Sequence, residues 1–212
     1  MIKLHSFTFN PFQENTYVLA DETGECLIID PGCSNTQEQS KLTLFITAQK
    51  LKPLRLLNTH CHIDHILGNK FIADTYQLEL EMHQKDLQTL AAGKVSADIF
   101  GIAYEESPAP TKFLEEGDKI YFGNSILDIV FTPGHSAGSI CFISHADKLV
   151  IGGDVLFYQS IGRTDLPGGN HQQLLDSIRT KLFTLPADFT VYPGHGPATT
   201  IGFEKENNPF LT

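Results

Sequence analysis

Residues 59–65 read Thr59-His60-Cys61-His62-Ile63-Asp64-His65, directly after the apolar, strand-like run Leu54-Arg55-Leu56-Leu57-Asn58. In an extended or turning backbone alternate side chains project the same way. His60 and His62 can therefore share one cation while Asp64 and His65 reach a neighbouring one. Imidazole and carboxylate donors packed this densely are a metal-site signature, and the spacing implies two metals. With nine histidines in the chain, a His-x-His-x-Asp-His pattern would arise by chance in ~0.1% of such sequences. The expectation is a metal centre on a turn that leads from a strand into a helix.

Three later segments end in the same chemistry. His135 closes Thr132-Pro133-Gly134-His135, Asp154 closes Gly152-Gly153-Asp154, and His195 lies in Pro193-Gly194-His195-Gly196, each after a strand-like run. Glycines at all three ends let the backbone turn sharply and leave the ligand side chain over the sheet edge. A rival motif occupies the same ground. Gly134-His135-Ser136-Ala137-Gly138 matches the G-x-S-x-G of serine hydrolases, and Asp154 and His195 follow in the matching order. A nucleophile elbow needs a helix after it, whereas SICFISHADKLVIGG reads as two strands, and Ser136 leaves the cluster at residues 60–65 unexplained.

The rest of the chain bounds the function class. It has 212 residues with a formal net charge of −10 and no basic run longer than two, which argues against nucleic-acid binding. At 41% apolar and 19% charged it is a folded globular protein rather than a disordered one, and the length fits a single domain over residues 1–212. The opening MIKLHSFTFNPFQ lacks the apolar core of a signal peptide, and no stretch approaches the ~18 apolar residues of a membrane span. A cytoplasmic protein without a membrane partner is expected. Four cysteines without a C-x-x-C pair are expected to be reduced thiols.

Strand-like runs (IKLHSFTF, NTYVLAD, ECLIIDPG) open the chain as an antiparallel unit, and an amphipathic helix over 34–51 follows Ser34 and Asn35. Strand LRLLNT, a helix at 64–76, strand LELEMH and a helix at 84–91 continue the pattern. Residues 92–112 show no period and read as a long loop. Four strands (DKIYF, SILDIVFT, SICFISH, KLVIGGD), the loop LFYQSIGRTDLPGG, a helix over 170–183 and strand DFTVYPGH complete it. Each half has strands followed by helix. That predicts an α+β fold with two mixed sheets face to face and helices outside, an αββα four-layer sandwich.

The seven ligand candidates, their order and their strand-end setting resemble the metallo-β-lactamase superfamily. Within it, THCHIDH, TPGHSAGS, GGDVLF, SIGRTDLPGGN and YPGHGPATTIGFEKENNPFLT are similar to the short glyoxalase II-like branch, and the resemblance covers the whole chain. It implies the αββα fold, with one metal on His60, His62 and His135, a second on Asp64, His65 and His195, and Asp154 bridging them. The cofactors would be two divalent ions, zinc being expected and iron or manganese also suiting the donors. Such a pair, roughly 3.5–4 Å apart, holds a bridging hydroxide near neutral pH. The implied reaction is hydrolysis of an S-2-hydroxyacyl thiol such as S-lactoylglutathione, with Asp64 and Asp154 as the catalytic carboxylates and Asp64 orienting the hydroxide.

Full-length glyoxalase II resembles this chain plus a C-terminal helical domain that carries part of the glutathione site. Here Lys94, Lys112 and Arg163 are the basic candidates to meet glutathione's carboxylates. Arg163, Phe100, Tyr104 and Tyr158 are the candidate substrate residues, with the 92–112 loop as a movable wall. Arg163, Thr164 and Asp165 either orient ligands or pin their loop. Cys61 is expected to pack away from the metals, Asp30 and Gly32 to shape a turn, and His5, His83, His145 and His171 to be ordinary histidines. The rival within the fold is a persulfide dioxygenase using one iron on His60, His135 and Asp154. Lactone, phosphodiester and β-lactam hydrolysis are the other chemistries of this site, and the sequence leaves the oligomeric state open.

Overall fold

The structure, a computed structural model, describes residues 1–211. Strands β1 (Lys3–Phe9) and β2 (Glu14–Ala20) form a hairpin, and β3 (Glu25–Ile29) joins it antiparallel. Helix α1 (Thr36–Ala48) carries the chain to β4 (Lys52–Leu57), which lies parallel to β3. Asn35 caps α1, its side-chain oxygen accepting from the N–H groups of Gln37 and Glu38 at 3.0 Å each. Helices α2 (Ile63–Ile66) and α3 (Asn69–Tyr76) lead to β5 (Leu80–Met82), and α4 (Leu87–Ala91) and α5 (Gly93–Phe100) lead to β6 (Lys112–Phe113). Both new strands pair parallel, so the first sheet runs β1-β2-β3-β4-β5-β6.

The second sheet begins with β7 (Lys119–Phe122), β8 (Ser125–Phe131), β9 (Ile140–Ser144) and β10 (Leu149–Gly153), each antiparallel to the one before. A small hairpin, β11 (Leu156–Phe157) with β12 (Ser160–Ile161), precedes helix α6 (His171–Ser177), which continues as a π-helical turn over Ile178–Leu182. Strand β13 (Thr190–Pro193) then lies parallel to β10, β14 (Thr199–Thr200) edges the sheet, and α7 (Ile201–Asn207) follows.

Side-chain alternation builds the layers. Tyr17 and Leu19 of β2, Leu27 and Ile29 of β3 and Leu57 of β4 face Leu127, Ile129, Ile140, Phe142, Leu149 and Ile151 of the second sheet in one shared core. Their neighbours point outward. Val18, Ala20, Cys26, Ile28 and Leu56 pack under Leu42 and Ile46 of α1 and Ile72 of α3. On the other side Cys141, Ile143, Val150 and Val191 pack under Leu174, Ile178, Leu182 and Ile201. Strands apolar on both faces are those a helix–sheet–sheet–helix sandwich requires, and the αββα architecture is the one observed.

The topology also decides where chemistry collects. Strands β3, β4 and β5 run parallel, as do β10 and β13, and β8 shares their direction because two antiparallel steps separate it from β10. Asp30, His60, His135, Asp154 and His195 therefore follow strand ends of common direction within each sheet.

Two sequence expectations are corrected. Residues 92–112 are not one loop, because Gly93–Phe100 forms α5, closed by Gly101 in the left-handed region. The helix buries Gly93 and Ala97 and exposes Val95, Ile99 and Phe100, so small residues make the contact and no large apolar stripe marked it. The helix expected over 64–76 is split at Gly68, whose N–H donates to the Pro31 carbonyl at 2.7 Å. A Cβ there would meet that same oxygen at 2.7 Å, so only glycine permits the approach. No helix of the described residues is long and apolar enough to cross a membrane.

Candidate metal centre

The loop after β4 is tied down by Asp30. The Thr59 N–H and hydroxyl donate to its two oxygens at 2.7 and 2.5 Å, and the Asn58 amide closes the loop by donating to the His65 carbonyl at 3.1 Å. The loop after β5 holds the same segment from the other side. Buried Asp86 accepts the Cys61 N–H at 2.6 Å, the Gly138 N–H at 2.9 Å and the Ser136 hydroxyl. One carboxylate thus joins the His60–His65 loop to the His135 loop, and the hydroxyl of the G-x-S-x-G motif is spent on that join.

Two groups of donors result. His135 Nε2 lies 3.2 Å from His60 Nε2 and 2.8 Å from His62 Nδ1. His195 Nε2 lies 3.0 Å from Asp64 Oδ2, and His65 Nε2 lies 3.7 Å from the same oxygen. Asp154 stands between the groups, its Oδ1 3.5 Å from His65 Nε2 and its Oδ2 3.5 Å from His135 Nε2 and 3.6 Å from His195 Nε2. Within each group of three, the ligand atoms fall inside 4.8 Å of one another, a spacing suited to a cation. Asp30, His60 and His65 satisfy the same spacing, but the Asp30 oxygens already accept from Thr59 and face His65 Nδ1.

Hydrogen bonds behind the cluster set the tautomers. His60 Nδ1 faces the Thr59 hydroxyl at 3.1 Å, His65 Nδ1 faces Asp30 at 3.1 Å, His135 Nδ1 the Arg163 carbonyl at 2.8 Å and His195 Nδ1 the Phe12 carbonyl at 3.1 Å. Each Nδ1–H donates outward, which leaves the Nε2 lone pair pointing inward as a metal ligand requires. His65 Nε2 and Asp154 Oδ1 are buried with no hydrogen-bond partner, and such orphaned donor atoms fit a divalent cation.

The electrostatics are those of a site built for positive charge. Burial, and then the other histidines, hold His60 well below its usual value, and burial with His135 lowers His62 to about 4. Burial opposes charge on His65, yet Asp64 and Asp154 raise it well above the ordinary range, and His195 rises despite burial through its bond to Asp64. Asp64 and Asp154 are pulled down, against burial, chiefly by His65. Positive charge is thus favoured beside Asp64 and Asp154, while His60 and His62 are held as neutral donors.

The cluster floors a cavity of about 560 Å³. Phe12, Ile63, Phe157, Leu166 and Pro167 supply apolar wall, and Phe100 and Arg163 line it as well. Tyr104 and Tyr158 are not among the lining residues. The Tyr104 hydroxyl bonds Ser107 at 2.9 Å, and Tyr158 stacks on Phe203 with ring centroids 5.1 Å apart. Thr164 is half-buried in the loop that Arg163 and Asp165 brace. Cys61 is buried with its sulfur 3.4 Å from the Met82 sulfur. Sequence reasoning missed Asp86, a lone aspartate in HQKDL, and Phe12, which no motif marks, and it gave no role to Phe157, the last residue of the GGDVLF segment.

With this geometry in view, the comparisons are specific. A profile described as metallo-beta-lactamase superfamily matches residues 9–195. The chain belongs to the metallo-beta-lactamase superfamily. Among curated superfamily members it is 39% identical to "Probable metallo-hydrolase YqgX" of Bacillus subtilis (strain 168), covering 99% of this chain and 98% of that one. It is 37% identical to "Hydroxyacylglutathione hydrolase GloC" of Haemophilus influenzae, covering 94% and 93%. Among solved superfamily structures it is similar to "BLEG-1 B3 metallo-beta-lactamase" (TM-score 0.91, 36% identity, 99% and 100% covered) and to "TTHA1623 in a di-iron-bound form" (0.88, 36%, 98% and 100%).

Proposed function

We propose that this chain, a single domain over residues 1–212, is a dinuclear metal-dependent hydrolase acting in the cytoplasm on a small-molecule thioester of the S-2-hydroxyacyl class. The observation that carries the reading is the convergence of five imidazoles and two carboxylates in one cluster, of which His62, His135, His195, Asp64 and Asp154 reach the cavity and His60 and His65 lie buried behind them. His60, His62 and His135 would hold one cation, Asp64, His65 and His195 the other, with Asp154 shared. Bound there, two divalent cations, zinc first and iron or manganese as alternatives, would lower the pKa of water toward ~7 and polarise a carbonyl.

The chain's own residues supply the rest. Asp64 directs one oxygen at His195 and would use the other to orient the attacking water. Outside the cluster, Lys85 and Arg163 are the charged side chains of the described cavity wall, so no carboxylic acid stands ready to protonate a leaving group. A thiolate leaves without a proton, an amine does not, and this favours a thioester over a lactam. The 37% identity to the hydroxyacylglutathione hydrolase points the same way. Four free, buried cysteines suit a reducing compartment.

The test pairs metal content by elemental analysis with thiol release from S-lactoylglutathione. Two metals per chain and thiol release, both lost in Asp154→Ala, are expected. One iron per chain, no thiol release and oxygen uptake with glutathione persulfide would overturn the reading in favour of the dioxygenase.

A further inference from the structure

One wall of the cavity is aromatic from floor to rim. Phe157 stands beside the metal centre, its ring 6.4 Å from that of His195. Phe12 is fixed at the same histidine, since its carbonyl accepts from His195 Nδ1 at 3.1 Å and its own N–H donates to Asn10 Oδ1 at 3.0 Å. The Phe12 ring then meets Phe100 edge-on, with centroids 5.1 Å apart. All three rings line the cavity.

Helix α5 presents Phe100. Ala97 packs in one cluster with Ile63 and Ile66, and Gly93 is seated so closely that a Cβ there would lie 3.2 Å from Ile66 Cδ1. A rotation of ~100° per residue puts Ala92, Ser96 and Phe100 on the adjoining face, and that face lines the cavity. The Phe100 ring is 56% exposed, and Ile99 and Val95 on the outer side of α5 are 74% and 62% exposed. An apolar surface left open to water and continuous with the wall of a reaction centre is where an apolar ligand gains most from leaving water.

The basic residues that a charged thiol would need are committed elsewhere. Lys94 pairs with Asp98 at 2.6 Å and Lys112 with Glu81 at 3.4 Å, and neither lines the cavity. Arg163 lines it but grips Asp165 with two bonds of 2.7 Å. Lys85 borders it, but its Nζ lies 4.7 Å from the ring centre of Phe131, which belongs to the neighbouring cleft of His83, Glu115 and Glu116. A net charge of −10 adds a long-range field that disfavours the approach of a polyanion.

We propose that the thiol half of the substrate is uncharged and apolar, and that Phe12, Phe100 and Phe157 bind it. The inference rests on the thioesterase reading, in which the thioester carbonyl sits at the metal centre and the 2-hydroxyacyl half is small and polar. The aromatic wall is then left to the thiol. Glutathione, with two carboxylates and an ammonium on its thiol half, finds no cation here to replace the water it must shed, so its thioester is cleaved but is not the preferred one.

The test compares S-lactoyl-2-phenylethanethiol with S-lactoylglutathione on the metal-loaded enzyme and follows the ratio of their kcat/KM values. The wild type is expected to favour the aromatic thioester by about tenfold or more. Phe100→Ala should lower that ratio about tenfold, the worth of ~50 Å² of apolar contact, mainly through KM of the aromatic thioester and with metal content unchanged. Phe100→Leu, which keeps an apolar side chain, should hold the ratio within about threefold. Tyr121→Ala, which removes an exposed ring from β7, should leave it unchanged. A wild-type preference for the glutathione thioester, or a ratio that Phe100→Ala does not move, overturns the proposal. If the wild-type enzyme cleaves neither thioester, the thioesterase reading fails and calorimetry decides the aromatic wall alone. Tighter binding of methyl 2-phenylethyl sulfide than of S-methylglutathione, abolished by Phe100→Ala, sustains it, and no such preference in the wild type overturns it.

Discussion

His65 and Asp30 are 35 residues apart in sequence and 3.1 Å apart in space, Nδ1 to Oδ2, with both side chains buried. The same carboxylate takes two hydrogen bonds from Thr59, the residue before His60. Asp30 thus orients one imidazole of each donor group while touching no open face of the cavity. Removal of such an outer partner typically costs 10–100-fold in metal affinity. Asp30→Ala is expected to weaken metal binding by about that factor, measured by competition with a chromophoric chelator. Unchanged affinity would reduce Asp30 to a turn-shaping residue.

Ser136 separates two chemistries. Its hydroxyl donates to Asp86, both are buried, and neither residue is part of the cavity wall. A serine nucleophile must face substrate, and this one braces a loop. Ser136→Ala should keep turnover within about threefold and lower stability by about 1–3 kcal/mol, the cost of a buried bond to a charged group. Abolished turnover with full metal content would reinstate the serine mechanism. Asp86→Ala removes four bonds at once, from Cys61, Thr89, Ser136 and Gly138, so chemical denaturation should show a larger loss than for Ser136→Ala.

The sandwich was legible because alternation and strand-end histidines are local signals. The apolar runs around Leu27, Ile28 and Ile29 and the strand-end positions of His60, His135 and His195 needed no tertiary knowledge. What was not legible depends on long-range pairing. α5 is built on Gly93 and Ala97, residues too small to register as an apolar face, and its exposed Val95, Ile99 and Phe100 blurred the period further. Asp86 gains its place only when β5 brings it beneath Cys61 and Gly138.

The cysteines predict an alkaline limit. Burial, the first cause in each case, pushes the thiols of Cys26, Cys33 and Cys141 up to about 12. Between the unfolded thiol value near ~8.5 and about 12, the unfolded chain binds fewer protons than the native one, so stability falls as pH rises through that window. Below it the contribution is fully present. Native protein should show almost no reaction with a thiol-specific chromogenic reagent at pH 8 and four equivalents in denaturant. Urea midpoints should drop steadily above pH 9. Rapid labelling of the native protein would mean the two outer cores open more readily than their burial indicates.

Gly194 predicts a metal defect without a folding defect. A Cβ at this position would meet Asp154 Oδ1 and would lie 2.6 Å from His65 Cε1, so the side chain must push apart a carboxylate and an imidazole of the cluster. The backbone there is otherwise well held. The Gly194 N–H donates to the Gly153 carbonyl at 2.8 Å, and its own carbonyl accepts from the Asn15 N–H at 2.7 Å, bonds that alanine retains. The added methyl is thus absorbed by the ligands and not by the sheet. Gly194→Ala is expected to bind fewer than two metals per chain and to lose at least ~10²-fold in turnover, the scale of a 1 Å misplacement at a reacting centre. Its circular dichroism and metal-free melting temperature should match the parent within a few degrees. Full metal content with normal turnover would mean that Asp154 tolerates displacement, and the shared-carboxylate role assigned to it would have to be abandoned.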